Sequence, residues 1–398
     1  MKKNIIEFVI FTTYALFAMS WVAGNMMTKD IMAFYQIEGV AAATWMTNAI
    51  TIAKIIGNLI AAWFLTKLGP KKAFAFASAL IVAGALGAFA STYPMYVFTR
   101  LVLGFGGAFV IVYFNPIVVN YFTPEERPLV NGLNAAAFNT GNLLAILFTG
   151  SLISYFETWQ NVVLAISIVS FIVLIVWWMI SEDFELSGAK SGQAPQKAYT
   201  FSDGVKESVN WWLPIAYSGV LFCYIAVFAL FPMIPTFAVE AKYLSSIMIG
   251  AGMVGTIVGI MVAKKYPMRV PVIRWCGVAM TAFAAIMITT QNPMLATVSA
   301  FLAGFFMFVP MTALVTLPQE LPGMNPGRVT VVFAMFWSVS YIIETILMYF
   351  AGVLADQTGN IAIAATFAVA CSSTLFIASF FLPETGKPKI VAAEPAKA

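Results

Sequence analysis

Twelve stretches of mostly apolar residues, each long enough to form a helix across a lipid bilayer, constrain this chain more than any other feature. A helix crossing about 30 Å of hydrocarbon needs about 20 such residues. Divided at charged or Pro/Gly-rich breaks, the runs fall at 5–27, 42–66, 73–91, 94–120, 130–155, 159–181, 211–238, 244–263, 271–290, 293–316, 328–354 and 359–382. Only 10% of residues are charged and 61% are hydrophobic. A water-facing surface on a chain of 398 residues would need more polar side chains than that. The expected fold is an all-α membrane protein with twelve transmembrane helices in two pseudo-symmetric six-helix bundles.

The two bundles are inferred from the longest polar interval, which runs from Ser181 to Asn210 and divides the spans six and six. Residues 1–181 form the expected N-terminal half, 182–210 a cytoplasmic linker, 211–382 the C-terminal half and 383–398 a cytoplasmic, disordered tail. At an offset near 200 residues, Leu103-Gly104-Phe105 aligns with Ala303-Gly304-Phe305, and Pro124-Glu125-Glu126-Arg127 roughly with Pro326-Gly327-Arg328. Of the 21 Lys and Arg residues, seventeen lie on the side of the linker and termini. Lys29 and Lys242 lie on the other side, and Lys54 and Arg100 inside spans. The excess of basic residues places both termini in the cytoplasm of a bacterial cell, with the chain in its inner membrane.

Several functional classes are excluded by what the sequence lacks. A net charge of +4, without Arg-rich stretches interleaved with aromatics, gives no nucleic-acid footprint. Cys223, Cys276 and Cys371 lie in apolar segments without metal-ligand spacing, so they read as small buried hydrophobes, and no metal or other cofactor is expected. With no histidine in the chain, any proton carrier must be a carboxylate. No nucleophile–base pair or phosphate-binding loop supports catalysis. The start, Met1-Lys2-Lys3, leads into an apolar run too long for a cleaved signal and is read as a retained first span.

Three local patterns, in register with the spans, resemble the major facilitator superfamily. Thr66-Lys67-Leu68-Gly69-Pro70-Lys71-Lys72 in the 2–3 loop is similar to its acidic-basic-x-Gly-x-basic-basic signature, with Thr66 where the family usually has aspartate. Arg100-Leu101-Val102-Leu103-Gly104 resembles the family's membrane-buried arginine followed by glycine, and Thr123-Pro124-Glu125-Glu126-Arg127 a common loop after span 4. Span 5 reads Asn139-Thr140-Gly141-Asn142 and lacks the Gly-Pro signature of the family's drug antiporters. The resemblance implies that spans 1, 4, 7 and 10 line a cavity and that spans 2 and 11 abut across the halves. Nitrate, cyanate and organic-anion branches are all compatible with these patterns.

Lys54, Arg100 and Glu344 are the ionisable residues well inside the spans. A central cation costs about 2.5 to 3.5 kcal/mol on insertion scales, so it persists beside water, an opposite charge or a substrate. Thr47, Thr51, Lys54 and Asn58 share one face of span 2, which reads either as a cavity face or as an interhelical hydrogen-bond seam. Trp337, Tyr341 and Glu344 share one face of span 11. Desolvation favours a neutral carboxyl and a nearby cation favours the carboxylate, so Glu344 reads as a proton carrier, with a static ion pair as the alternative. At 1.5 Å per residue Lys54 and Glu344 lie about 18 and about 15 Å below the outer ends of their spans, which makes them a candidate gating pair. Arg100 reads equally as an anion clamp or as a structural fork holding span carbonyls.

Tyr14, Trp21, Tyr113, Tyr217 and Tyr224 complete the expected substrate contacts, with helix packing as the alternative for each. Asn25, Asn115, Asn139 and Asn142 offer further donors or interhelical glue, and Gly104, Gly106, Gly107, Gly250, Gly252, Gly255 and Gly259 favour close helix approach. Two fixed cations against one acid favour an anionic solute. The expected function is therefore secondary transport of a small anion, an organic carboxylate or a small inorganic anion, by proton symport and alternating access. The protein is expected to work as a monomer in the lipid bilayer. A proton-coupled exporter of drugs or metabolites is the alternative.

Overall fold

Backbone N–H and C=O groups have no water to bond in hydrocarbon, and this chain satisfies them inside helices. The computed structural model describes residues 2–123, 126–184, 201–234, 237–323 and 326–386. Among the described residues, twelve helices are long and apolar enough to span: α1 (Lys2–Met26), α2 (Val40–Leu68), α3 (Pro70–Phe89), α4 (Tyr93–Tyr121), α5 (Leu133–Phe156), α6 (Trp159–Ile180), α7 (Val209–Met233), α8 (Ala241–Lys265), α9 (Val270–Thr289), α10 (Pro293–Glu320), α11 (Val331–Thr358) and α12 (Ala362–Phe381).

Local chemistry sets many of the helix ends. Asn292 caps α10, its side chain accepting from the backbone N–H of Met294 and Leu295, and Pro293 takes the first helical position. Thr158 caps α6 by accepting from Asn161 N–H. The regular helix of α7 stops at Ala229 and the span at Met233, short of the expected end at 238, because Pro232 interrupts the backbone bonding within a run that stays apolar. α10 likewise turns at Pro310 and resumes at Met311. A short surface helix, Thr28–Tyr35, anchored by buried Ile31, joins α1 to α2.

Helix pairing repeats between the halves. α2 packs on α4 as α8 packs on α10, and α1 on α5 as α7 on α11. Gly104 and Gly304 mark the first of these correspondences. A Cβ on Gly104 would sit 2.8 Å from Ile50 Cα of α2, and one on Gly304 would collide with the Met248 carbonyl of α8. The halves meet along α2–α11 and α5–α8.

On the linker side, Lys2 pairs with Glu182 and Lys3 with Glu126, so the N-terminus, the 4–5 loop and the start of the linker lie on one face. These hydrogen bonds hold both carboxyls below the usual carboxylate range. Asp183 accepts from Lys71 N–H at 3.3 Å and lies 2.9 Å from where a Cβ on Gly69 would stand, so an acid from beyond α6 serves the 2–3 loop in which Thr66 replaces the usual aspartate. Glu384, beyond α12, bonds the N–H groups of Arg269 and Val270 at the start of α9 in the corresponding way. Pro124 and Glu125, residues 185–200 of the linker with Lys190 and Lys197, and residues 387–398 of the tail lie outside the described residues.

Candidate functional site

A cavity of about 470 Å³ lies between the halves. Its walls come from α1, α2, α4, α5, α7, α10 and α11, with a first turn inward at Trp21, Lys54, Tyr224, Met307 and Tyr341. The lining then continues through Asn58, Ile111, Asn134, Met311 and Phe333 toward the ends that meet the linker. The opposite side is drawn together. Asp356 of α11 accepts from the N–H groups of Val40 and Ala41 at 2.5 and 2.9 Å, bonding the start of α2 across the two halves. Within the N-terminal half on the same side, Tyr93 OH donates to the Ala42 carbonyl at 2.5 Å, and Tyr35 OH to that of Ala90 at 2.7 Å. The cavity thus opens on the linker side.

α2, α5 and α11 contribute to the wall alongside the expected α1, α4, α7 and α10. Nine of the lining side chains are aromatic, among them Tyr14, Trp21, Tyr217, Tyr224, Trp337 and Tyr341. Among the described residues, Lys54 is the only charged side chain in the wall. Its ammonium stands 5.8 Å from the ring centre of Phe17, 5.4 Å from Trp21, 5.2 Å from Phe138 and 5.0 Å from Tyr341. Ring faces stabilise a cation there by about 0.5 to 2 kcal/mol each at most, and leave its three N–H donors to find an acceptor. Among the described residues no hydrogen-bond acceptor reaches it.

Glu344 is fully buried behind this cage. Neither of its carboxyl oxygens has a hydrogen-bond partner. Thr51 and Thr345 stand beside it, but their hydroxyls pair with each other at 2.7 Å and miss hydrogen-bond geometry to the acid. The ion pairs among the described residues sit at helix ends, and none joins Lys54 to Glu344. The two groups are still close enough for their charges to interact. Burying a carboxylate without a partner is costly, and either a proton or the Lys54 ammonium removes that cost.

The polar face of α2 serves two purposes along its length. Lys54 and Asn58 reach the cavity, whereas Thr47 donates to Asn25 Oδ1 at 3.0 Å and Thr51 faces Thr345. Asn139 and Asn142 of α5 bracket the Tyr224 hydroxyl of α7, which accepts from Asn142 at 2.6 Å and donates to Asn139 at 2.5 Å, a polar seam across the halves.

Arg100 and Tyr113, two side chains expected at the substrate, do not line this cavity. Arg100 donates to the carbonyls of Met46, Ser20 and Trp21 at 3.3, 2.9 and 2.7 Å and to Asn25 Oδ1 at 3.3 Å, so its guanidinium is consumed in joining α1, α2 and α4. Tyr113 is buried on α4 with its hydroxyl on the Ala61 carbonyl at 3.2 Å, facing α2 and not the cavity. The side chain of Asn115 lies outside the described residues.

One acid escaped the sequence reading because it lies two residues inside an apolar run. Glu7 is buried near the linker end of α1, and Asn134 of the cavity wall donates to it at 3.4 Å. Its signal was available as a lone acid at the start of a span whose neighbours remain apolar.

Comparison with known proteins agrees with this architecture. The family model for the Major Facilitator Superfamily matches residues 7–345. An uncharacterised protein of Campylobacter jejuni, Cj0987c, is 29% identical over 237 residues, 58% of this chain and 70% of that protein. Mouse solute carrier family 22 member 12 is 27% identical over 139 residues, 34% of this chain and 24% of its own length. A bacterial homologue of the human lysosomal transporter Spinster, in an inward-facing, unoccupied conformation, superposes with a TM-score of 0.75 at 14% identity, covering 96% of this chain and 98% of that one. The D-xylose-proton symporter gives 0.66 at 15% identity, covering 97% and 98%. The twelve-helix fold, the cavity between its halves and the family match lead to one conclusion: the chain belongs to the Major Facilitator Superfamily and is a multi-pass membrane transporter, not an enzyme.

Proposed function

We propose that the protein carries a small anion and a proton together, by alternating access, from the outer face of the bacterial inner membrane into a cytoplasm that holds both termini and the linker. The observation that carries this reading is the arrangement of Lys54 and Glu344. A cation without an acceptor stands in the cavity wall, and a carboxyl without a partner is sealed next to it. Two structural neighbours, the fucose:proton symporter of E. coli and the D-xylose-proton symporter, are named for proton symport and share the fold.

Charge balance supplies the coupling. With neither ligand bound, Lys54 and an ionised Glu344 neutralise each other. With both bound, the anion neutralises Lys54 and the proton neutralises Glu344. Either half-loaded state leaves one net charge to be buried when the halves close over it, which is costly in a low-dielectric setting. Only the empty and the fully loaded carriers cross readily, so one anion moves with one proton. Tyr14, Trp21, Tyr217, Tyr224, Trp337 and Tyr341 shape the space around the anion, and one copy of the chain contains the whole site.

The test is uptake into proteoliposomes of small carboxylates and inorganic anions, with and without an inward proton gradient. Gradient-driven anion uptake is expected, lost in Lys54→Ala. In Glu344→Gln the loaded carrier stays neutral while the empty one carries a charge, so exchange of anion for anion survives and net uptake does not. Movement of lipophilic cations without any anion would overturn the reading in favour of export.

A further inference from the structure

A groove separate from the transport cavity lies on the flank of the N-terminal half. It encloses about 430 Å³ between α3 and α6, close to their linker-side ends. We propose that this groove binds an anionic phospholipid of the leaflet on the linker side, with an acyl chain along the groove and the headgroup phosphate at Lys71 and Lys72.

The groove suits a hydrocarbon body with a negative charge at one end. Lys72, Ala75, Phe76 and Ala79 share one face of α3 and cover about 10 Å along it, beginning at its linker end. Ala75 and Ala79 are small, which leaves room beside Leu174 and Trp178 of α6, and apart from Lys72 the lining is apolar or aromatic. Trp178 and Met179 are 53% and 77% exposed within a membrane span, so the groove faces lipid. On the buried side Trp177 holds the two helices together. Its ring centre lies 4.2 Å from that of Phe74, and its Nε1 donates to the Lys71 carbonyl at 3.0 Å.

Two ammonium groups stand at the linker end. Lys72 is exposed and lines the groove, and the Lys71 ammonium lies 5.2 Å from the ring centre of Trp178. Among the described residues neither lysine side chain enters an ion pair. The acids that follow α6 are otherwise engaged, Glu182 with Lys2 and Asp183 with the backbone N–H of Lys71. Basic side chains at the headgroup level beside a chain-shaped groove fit a phosphodiester. The C-terminal half provides a contrast. At the repeat offset near 200 residues, Arg274 and Phe380 stand in the places of Lys72 and Trp178. There the cation is consumed by the protein, donating to the Ser379 hydroxyl at 3.1 Å and carbonyl at 3.3 Å and lying 4.0 Å from the Phe380 ring centre. A second copy of the chain seated on the groove about a two-fold axis would bring like lysines together, which disfavours it as the occupant.

Quenching of Trp178 fluorescence by brominated lipid tests the proposal. The full-length protein is reconstituted in phosphatidylcholine bilayers that contain a minor fraction of dibrominated phosphatidylglycerol or of dibrominated phosphatidylcholine with the same chains. The share of Trp178 is the difference between each protein and the same protein carrying Trp178→Phe. Phosphatidylglycerol is expected to be preferred at Trp178 by about fivefold or more, about fivefold being the effect of one basic side chain beside an anionic headgroup. Lys71→Gln combined with Lys72→Gln should bring the two lipids to within about twofold. The bonds of Lys71 to Trp177 and Asp183 are made by its backbone and survive this change, and an unchanged thermal midpoint shows that the double variant is folded. Lys264→Gln combined with Lys265→Gln, at the end of α8 in the other half, should leave the preference as in the wild type. Equal quenching by the two lipids in the wild type would overturn the proposal, as would a preference that survives the loss of Lys71 and Lys72 or falls equally with Lys264 and Lys265. Inorganic phosphate at matched ionic strength is expected to leave the quenching unchanged, and relief of quenching by phosphate would overturn the lipid in favour of a free anion.

Discussion

Arg100 and Lys54 are both cations inside membrane-spanning helices, and their surroundings differ. Arg100 spends its planar fork on three backbone carbonyls and an amide oxygen, which ties α1 and α2 to α4. Lysine at this position has no fork, so Arg100→Lys is expected to destabilise the fold by about 2 kcal/mol. Thermal unfolding in detergent should show a lowered midpoint, while anion affinity of the folded protein stays as in the wild type. A weakened affinity at constant midpoint would return Arg100 to the substrate. Residue spacing alone left this choice open because both jobs need a buried guanidinium, and the deciding fact is the identity of acceptors on two other helices. The place of Lys54 in the cavity wall was legible for the converse reason. A cation on a face shared with Asn58 had few structural partners to satisfy it, and the structure surrounds it with rings in place of acceptors.

At the scale of elements, the latch on the side opposite the linker joins α11 to α2. Asp356 satisfies two N–H groups at the start of α2, and the macrodipole there adds to the attraction. Asp356→Ala removes this cross-half contact on the closed side only. With spin labels at exposed Glu38 and Glu240, the distance between the ends of the halves opposite the linker is expected to shift toward longer values in the variant. An unchanged distribution would mean that the latch does not hold that side shut. All twelve spans were readable from hydropathy to within about five residues, because length and charge placement are properties of consecutive residues. Asp356 was not, since its bond reaches residues 315 and 316 positions away. Asp183 and Glu384 escaped for the same reason, although they sit at the 200-residue repeat offset and cap the starts of α3 and α9 in turn. Extending the repeat comparison from the glycines to the acids that follow each half would have found them.

At the scale of the whole molecule, the cavity extends from Lys54 toward the linker side between α1, α2, α5, α7 and α11. The resemblance to the superfamily implies a cavity lined by spans of both halves, and residues of both halves line the one described here. Which side is open, and that Lys54 and Glu344 are apart in this state, depends on the relation of two rigid bodies and leaves no mark on the sequence. In the proposed cycle, paired charges force one proton to accompany one anion. The measurement that tests it most directly is the number of protons entering proteoliposomes per anion, read from an internal pH dye and labelled anion together, at zero and at inside-negative membrane potential. One proton per anion, with a rate insensitive to the potential and no proton entry in Glu344→Gln, is the predicted result. Anion entry without protons, or a rate that follows the potential, would contradict it.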